Sequence, residues 1–73
     1  MAKAMVEVFK TNIKEKTQAR AIFEILSKHF PYFKINFDLE DCDKILRIEG
    51  EGISNERIIS LITTNGYYCQ ILE

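Results

Sequence analysis

The stretch Phe33-Lys34-Ile35-Asn36-Phe37-Asp38-Leu39-Glu40-Asp41-Cys42-Asp43-Lys44-Ile45-Leu46-Arg47-Ile48-Glu49 decides the fold. Phe33, Ile35, Phe37 and Leu39 alternate with Lys34, Asn36, Asp38 and Glu40. A period of two puts the apolar side chains on one face of a strand and leaves the other face wet. Asp41-Cys42-Asp43 reads as a turn, and residues 44–49 return as the antiparallel partner. Gly50 and Gly52 then break the run.

Helical patterns flank this hairpin on both sides. Residues 6–11 are short and β-rich, and the apolar residues that follow, Ala19, Ile22, Phe23, Leu26 and Phe30, fall at helical spacing. Asn12 with Glu15 three positions later reads as a capping box, and Glu15 lies in the first turn, where the helix dipole favours an anion. Pro31 stops this helix because it cannot donate to the preceding turn. Beyond the hairpin, Ser54 caps a second helix whose stripe is Ile58, Leu61 and Ile62, with Ile59 beside it. Asn65-Gly66 ends it, and Tyr67, Cys69 and Ile71 alternate as a last strand.

The order is therefore βαββαβ. Right-handed crossovers turn it into a split pair of βαβ units. The expected fold is α+β and ferredoxin-like, a four-stranded antiparallel sheet with two helices on one face. This topology gathers the turn after the first strand, the hairpin at residues 40–44 and the turn at residues 65–67 at one end. His29 falls at the other.

Residues 1–73 leave room for a single domain. A chain this short buries roughly 60% of its unfolded surface, so its stability margin is small. Ten Lys and Arg against eleven Asp and Glu give no global field to attract nucleic acid or an anionic membrane. No apolar stretch approaches the roughly 18 residues of a spanning helix. Residues 1–8 lack the pattern of a secretory leader. Cys42 and Cys69 are too few for a disulfide scaffold, so reduced thiols and a cytoplasmic location are expected.

Three segments carry a resemblance: Phe9-Lys10-Thr11-Asn12-Ile13, then Asp43-Lys44-Ile45-Leu46-Arg47-Ile48-Glu49-Gly50, then residues 54–62 followed by Asn65-Gly66-Tyr67. In this order the chain resembles a heavy-metal-associated domain, the ferredoxin-like module of copper chaperones and metal-transporting ATPases. The resemblance covers about residues 8–71. It implies a loop in which a buried hydrophobic residue, matched by Ile13, precedes Cys-x-x-Cys. Glu15 stands where the first cysteine belongs and Gln18 where the second does. Copper(I) is soft and prefers thiolates, whereas a carboxylate and an amide are hard oxygen donors. Lys14 and Lys16 beside Glu15 further oppose a cation. Copper transfer by exchange between cysteine pairs has no residues to run on here.

Other chemistry finds little support in the residues. Cys42, Cys69 and His29 cannot converge on one zinc ion in a monomer on this topology. Cys69 reads as an inward-facing core thiol, and Cys42, at the hairpin tip, remains the one alternative metal ligand, shared between two chains. Asp38, Glu40, Asp41 and Asp43 form an acidic tip without the spacing or glycine of a calcium loop. His29 has no Ser, Cys or orienting carboxylate within expected reach, so it reads as a helix-end histidine. No glycine-rich loop precedes a helix to cradle phosphate. Neither catalysis nor a cofactor is expected.

Two surfaces remain for partners. Lys10, Lys14, Lys16 and Arg20 lie near the acidic tip, a charge separation suited to orienting a partner. On the open face of the sheet, alternation turns Ile45, Tyr68 and Leu72 outward, joined by either Val6 and Val8 or Met5 and Phe9. Such a patch of a few hundred Å² has the size that marks many interfaces. The expected function is a small non-enzymatic interaction module that binds a protein partner or itself through Lys14, Lys16, Ile45, Tyr68 and Leu72. The alternative is a metal carrier or sensor with an unconventional or intersubunit site.

Overall fold

The computed structural model describes residues 4–72, so the expectation about a leader, drawn from residues 1–8, falls partly outside the described residues. The elements are β1 (Met5–Thr11), α1 (Lys16–His29), β2 (Lys34–Asp38), β3 (Ile45–Gly50), α2 (Asn55–Thr64) and β4 (Cys69–Ile71). Four strands form one antiparallel sheet in the order β2-β3-β1-β4. Both helices bury their apolar stripes against the same sheet face, which is the α+β ferredoxin-like arrangement. No helix among the described residues is long and apolar enough to cross a membrane.

The centre of the sheet supplies the deepest side chains. Phe9 of β1 lies opposite Leu46 of β3, and both are 0% exposed, as is Ile48. Ala19, Ile22 and Leu26 of α1 and Ile58 and Ile62 of α2 close over them, with Ile35 and Cys69 at the flanks. Each fully buried aliphatic or aromatic side chain of this kind contributes about 1.5–3 kcal/mol. Burial of Phe9 and Thr11 resolves the phase of β1. Val6, Val8 and Lys10 therefore face outward, on the open side.

Phe23 departs from its expected place in the core stripe and is 43% exposed. It sits roughly 70° around the helix from the centre of the Ala19, Ile22 and Leu26 stripe, because successive residues turn by about 100°. Helical spacing alone does not separate the centre of a stripe from its flank.

The helix ends are closed by the backbone. Phe30 N–H donates to Leu26 O at 2.7 Å before Pro31 ends α1. After α2, Gly66 N–H donates to Thr63 O at 3.0 Å and Tyr67 N–H to Ile62 O at 3.3 Å, a Schellman motif. Its left-handed residue is Gly66, at φ +92°. Ser54 occupies the N-cap of α2, but its hydroxyl makes no capping hydrogen bond; its carbonyl accepts from Ile58 N–H at 3.2 Å.

Gly50 ends β3 for a different reason. The Phe33 ring lies against its Cα and stacks on Phe30 with centroids 5.1 Å apart and planes 9° from parallel. A Cβ at position 50 would collide with Phe33 Cδ1. We predict that Gly50→Ala destabilises the fold by about 1–3 kcal/mol, the usual result of overpacking. Urea denaturation measures it, and an unchanged midpoint would show that Phe33 is free to move aside.

Candidate functional site

The end of the molecule where the resemblance puts a metal loop, and where Glu15 and Gln18 replace its cysteines, is tied together by oxygen acceptors. Thr11 N–H donates to Asp43 O at 3.1 Å and to Lys44 O at 3.2 Å, and its hydroxyl donates to Lys44 O at 2.7 Å. The same Thr11 Oγ1 accepts from Ile13 N–H at 3.1 Å. Asn12 Oδ1 accepts from Tyr68 N–H at 2.8 Å, which joins the first loop to the start of β4. Ile13 is 0% exposed and plugs the core beneath these bonds. Three turns distant in sequence thus form one stitched surface, as the topology requires.

Glu15 and Gln18 lie on that surface and serve α1. Glu15 is the N-cap, with extended φ −103° and ψ 145°, and it forms a capping box with Gln18. Gln18 Oε1 accepts from Lys14 N–H and Glu15 N–H, each at 3.2 Å. The expected box between Asn12 and Glu15 is therefore replaced by one between Glu15 and Gln18. Asn12 is spent on β4, and Glu15 stands just before the first turn rather than within it. Helix starts leave orphan N–H groups, and an amide oxygen three residues on satisfies the cap position. These donors do not fit copper(I): they are hard, and the Gln18 oxygen is already occupied by two backbone amides.

The other candidate ligands are kept apart by the sheet order. Cys42 is exposed in the β2–β3 turn, whereas Cys69 is buried in β4 at the opposite edge. Burial pushes the Cys69 thiol up from 9.0 to about 12. Asp41, Cys42 and Asp43 bring one donor atom each within 4.8 Å of one another, the cluster of this kind found among the described residues. Asp41 Oδ1 accepts from Asp43 N–H at 2.9 Å, which shapes the turn. Lys44, at φ +49°, completes it and donates from Nζ to Leu39 O at 2.9 Å.

His29 sits at the far end, as expected, but it has neighbours that were not. Glu56 and Ser60 of α2 line the same shallow groove, with Arg57 beside them. The ordered contacts there are aromatic: His29 and Phe30 lie 6.3 Å apart, and Arg57 Cζ stands 5.5 Å from the Phe30 centroid. The imidazole packs on a ring instead of being aimed by a carboxylate. Residues contributed by a second helix carry no local signal next to His29 in the sequence.

The five expected partner residues divide between two layers. Ile45, Tyr68 and Leu72 belong to the open sheet face. Val8 lies opposite Arg47 in β3 and pairs on its other side with Leu72, whose N–H donates to Val8 O at 2.9 Å. Val6 is 46% exposed, Tyr68 47% and Leu72 36%, so the apolar centre of this face meets solvent. Lys10 stands between Ile45 and Gln70, and the Tyr68 hydroxyl donates to Gln70 Oε1. Lys34, Asn36, Asp38, Arg47 and Glu49 make the other half of the face polar, with Lys34 opposite Glu49. Lys14 is in the stitched loop, and Lys16 begins α1, where it shares a depression with Asp38 and Glu40. The basic residues thus do not form one patch.

No family model, curated protein or solved structure matches this chain.

The raised Cys69 thiol has a measurable consequence. The folded chain holds that proton more tightly than the unfolded chain, so the stability it supplies is present below pH 9.0 and is lost as pH rises through about 12. The slope reaches about 1.4 kcal/mol per pH unit. We predict that Cys69→Ala flattens the alkaline fall in stability measured by urea denaturation. Iodoacetamide should modify Cys42 in the native protein and Cys69 only in denaturant. Rapid native labelling of both thiols would contradict this burial.

Proposed function

We propose that this chain is a non-enzymatic protein-interaction module, a divergent heavy-metal-associated-like domain whose copper loop has become a helix cap. One observation carries the reading: Gln18 Oε1 bonds two backbone N–H groups at the loop where copper(I) ligands would stand. A side chain committed to the fold cannot also exchange a metal with a partner. The buried Ile13 and the βαββαβ order support descent of the scaffold without its ligands.

The partner surface in this reading is the open sheet face, with Ile45, Tyr68 and Leu72 around Val8. Exposed aromatic and aliphatic side chains framed by charge are the composition of an interface core and rim. The stitched loop end, with Lys14 and Lys16, supplies a second, charged contact. A net charge of −1 supports a protein partner, or a second copy, over nucleic acid or an anionic membrane. The proposed location is the cytoplasm, where free Cys42 stays reduced.

Two experiments test the reading. Reduced wild-type protein titrated with copper(I) should show no submicromolar binding, whereas the double variant Glu15→Cys with Gln18→Cys should acquire it. Tight binding by the wild type that is lost in Glu15→Ala or Gln18→Ala would overturn the closed-loop reading. Separately, Tyr68→Ala and Ile45→Ala should weaken association, each by about 1–2 kcal/mol if it is a central contact. Association unchanged in both removes the sheet face from the account.

A second reading, a metal carrier or sensor, is favoured by the Asp41, Cys42 and Asp43 donors alone. Zinc and copper(I) titrations of wild type and Cys42→Ser decide between the two. Submicromolar binding that requires Cys42 favours this second reading.

A further inference from the structure

Strand β2 is an edge of the sheet, hydrogen-bonded to β3 on one side and, among the described residues, to no strand on the other. An open edge of five residues is a template for another strand. Its sequence is matched to itself. Around Asn36, the residues run Phe33, Lys34, Ile35 on one side and Phe37, Asp38, Leu39 on the other.

We propose that a second copy of this chain pairs with β2 in antiparallel register about a two-fold axis at Asn36, which makes one continuous eight-stranded sheet. In that register Lys34 faces the partner's Asp38 twice over, and Asn36 faces the partner's Asn36 on the open side. On the helix side, Ile35 faces the partner's Phe37, and Phe33 faces the partner's Leu39. Every pair joins like hydropathy and every charge meets its opposite. A shift of two residues in either direction removes the contact between Lys34 and the partner's Asp38. A lone lysine on an edge strand discourages pairing, but one whose opposite charge waits in the same register selects a single partner. A two-fold interface of this kind uses both β2 edges at once, so the pairing closes on itself as a dimer with β4 at each outer end of the sheet.

The helix layer supplies an independent observation. Lys16, Phe23 and Phe30 are seven residues apart and share one flank of α1. Phe30 stacks on Phe33 before β2, and Lys16 shares a depression with Phe37 and Leu39 at its other end. Phe23, halfway between Lys16 and Phe30 on the same flank of α1, is therefore level with the middle of β2, and it is 43% exposed. The two-fold axis brings the two α1 helices side by side and antiparallel, with each Phe23 turned toward the other. The exposed aromatic ring that the core does not use lies where this dimer needs it.

The inference gives the interaction-module reading one occupant, but on the β2 edge rather than on Tyr68 and Ile45, so the two surfaces fail or survive separately. The test is sedimentation velocity of the full chain at tens to hundreds of micromolar. Wild type should form a dimer. Lys34→Glu and Asp38→Lys should each weaken dimerisation about tenfold or more, because each puts two like-charge pairs across the axis. An equimolar mixture of these two single variants should dimerise again, since both cross-axis pairs are then attractive. Across β3 Asp38 faces neutral Ile45, whereas Lys34 faces Glu49, so Asp38→Lys disturbs the chain's own strand pairing less, although Lys16 of the shared depression is a cationic neighbour. Phe23→Ala, which leaves the strand untouched, should also weaken the dimer. Circular dichroism confirms that each variant is folded. A wild type that stays monomeric at these concentrations overturns the proposal. So does a dimer indifferent to Asp38→Lys, or a mixture of folded single variants that remains monomeric.

Discussion

Backbone amides at the start of a helix must find acceptors, and in this chain Gln18 supplies the oxygen for two of them. Most of what distinguishes this domain follows from that constraint. Because Lys14 N–H and Glu15 N–H both bond Gln18 Oε1, the loop after β1 is tied to the first turn of α1 by a side chain of its own chain. Thr11 and Asn12 tie the same loop to the β2–β3 turn and to the start of β4. Ile13 then seals the core from this end. A loop that must give up and receive a soft metal needs free thiolates, and residues 11–18 contain none.

With that end tied by hydrogen bonds, the fold leaves other surfaces open. A ferredoxin-like sheet covered on one face exposes the other, and here the exposed face is divided. Its β1–β4 half has an apolar centre of Val6, Val8 and Leu72 beside Lys10 and Gln70, whereas its β2–β3 half carries opposite charges in facing positions, such as Lys34 and Glu49. Facing opposite charges contribute about 0.2–1 kcal/mol per pair within the chain and leave the edge of β2 chemically patterned. Small domains carry little spare stability, so burying such a surface against a partner also adds to the fold by mass action.

Much of this architecture is legible in the residues, because alternation and helical spacing are local signals. The hairpin of β2 and β3 follows from Phe33, Ile35, Phe37 and Leu39, and α2 begins after Ser54 and closes at Asn65 and Gly66 as its residues imply. Where the reading went astray, a distant partner or a flank position was responsible. Asn12 fits a local cap, but its acceptor is taken by Tyr68, 56 residues away. Glu-x-x-Gln is an equally good box one turn later, and only the fold chooses between them. Phe23 obeys the helical period yet lies on its flank. The phase of β1 was ambiguous because Met5, Val6, Val8 and Phe9 are all apolar. Met5 shares the inward face with Phe9 but is 45% exposed near the sheet's end. His29 gained Glu56 and Ser60 from a helix whose docking no local pattern describes.

The central claim is that oxygen atoms of the fold itself, and not a metal, organise the first loop. The most direct measurement is an amide nitrogen–proton NMR spectrum of the reduced protein, recorded before and after one equivalent of copper(I). The account predicts that the resonances of Lys14, Glu15 and the Gln18 side chain stay in place and that any shifts fall on residues around Cys42. Selective movement of Lys14, Glu15 and Gln18 would show the ion seated in that loop and would contradict it.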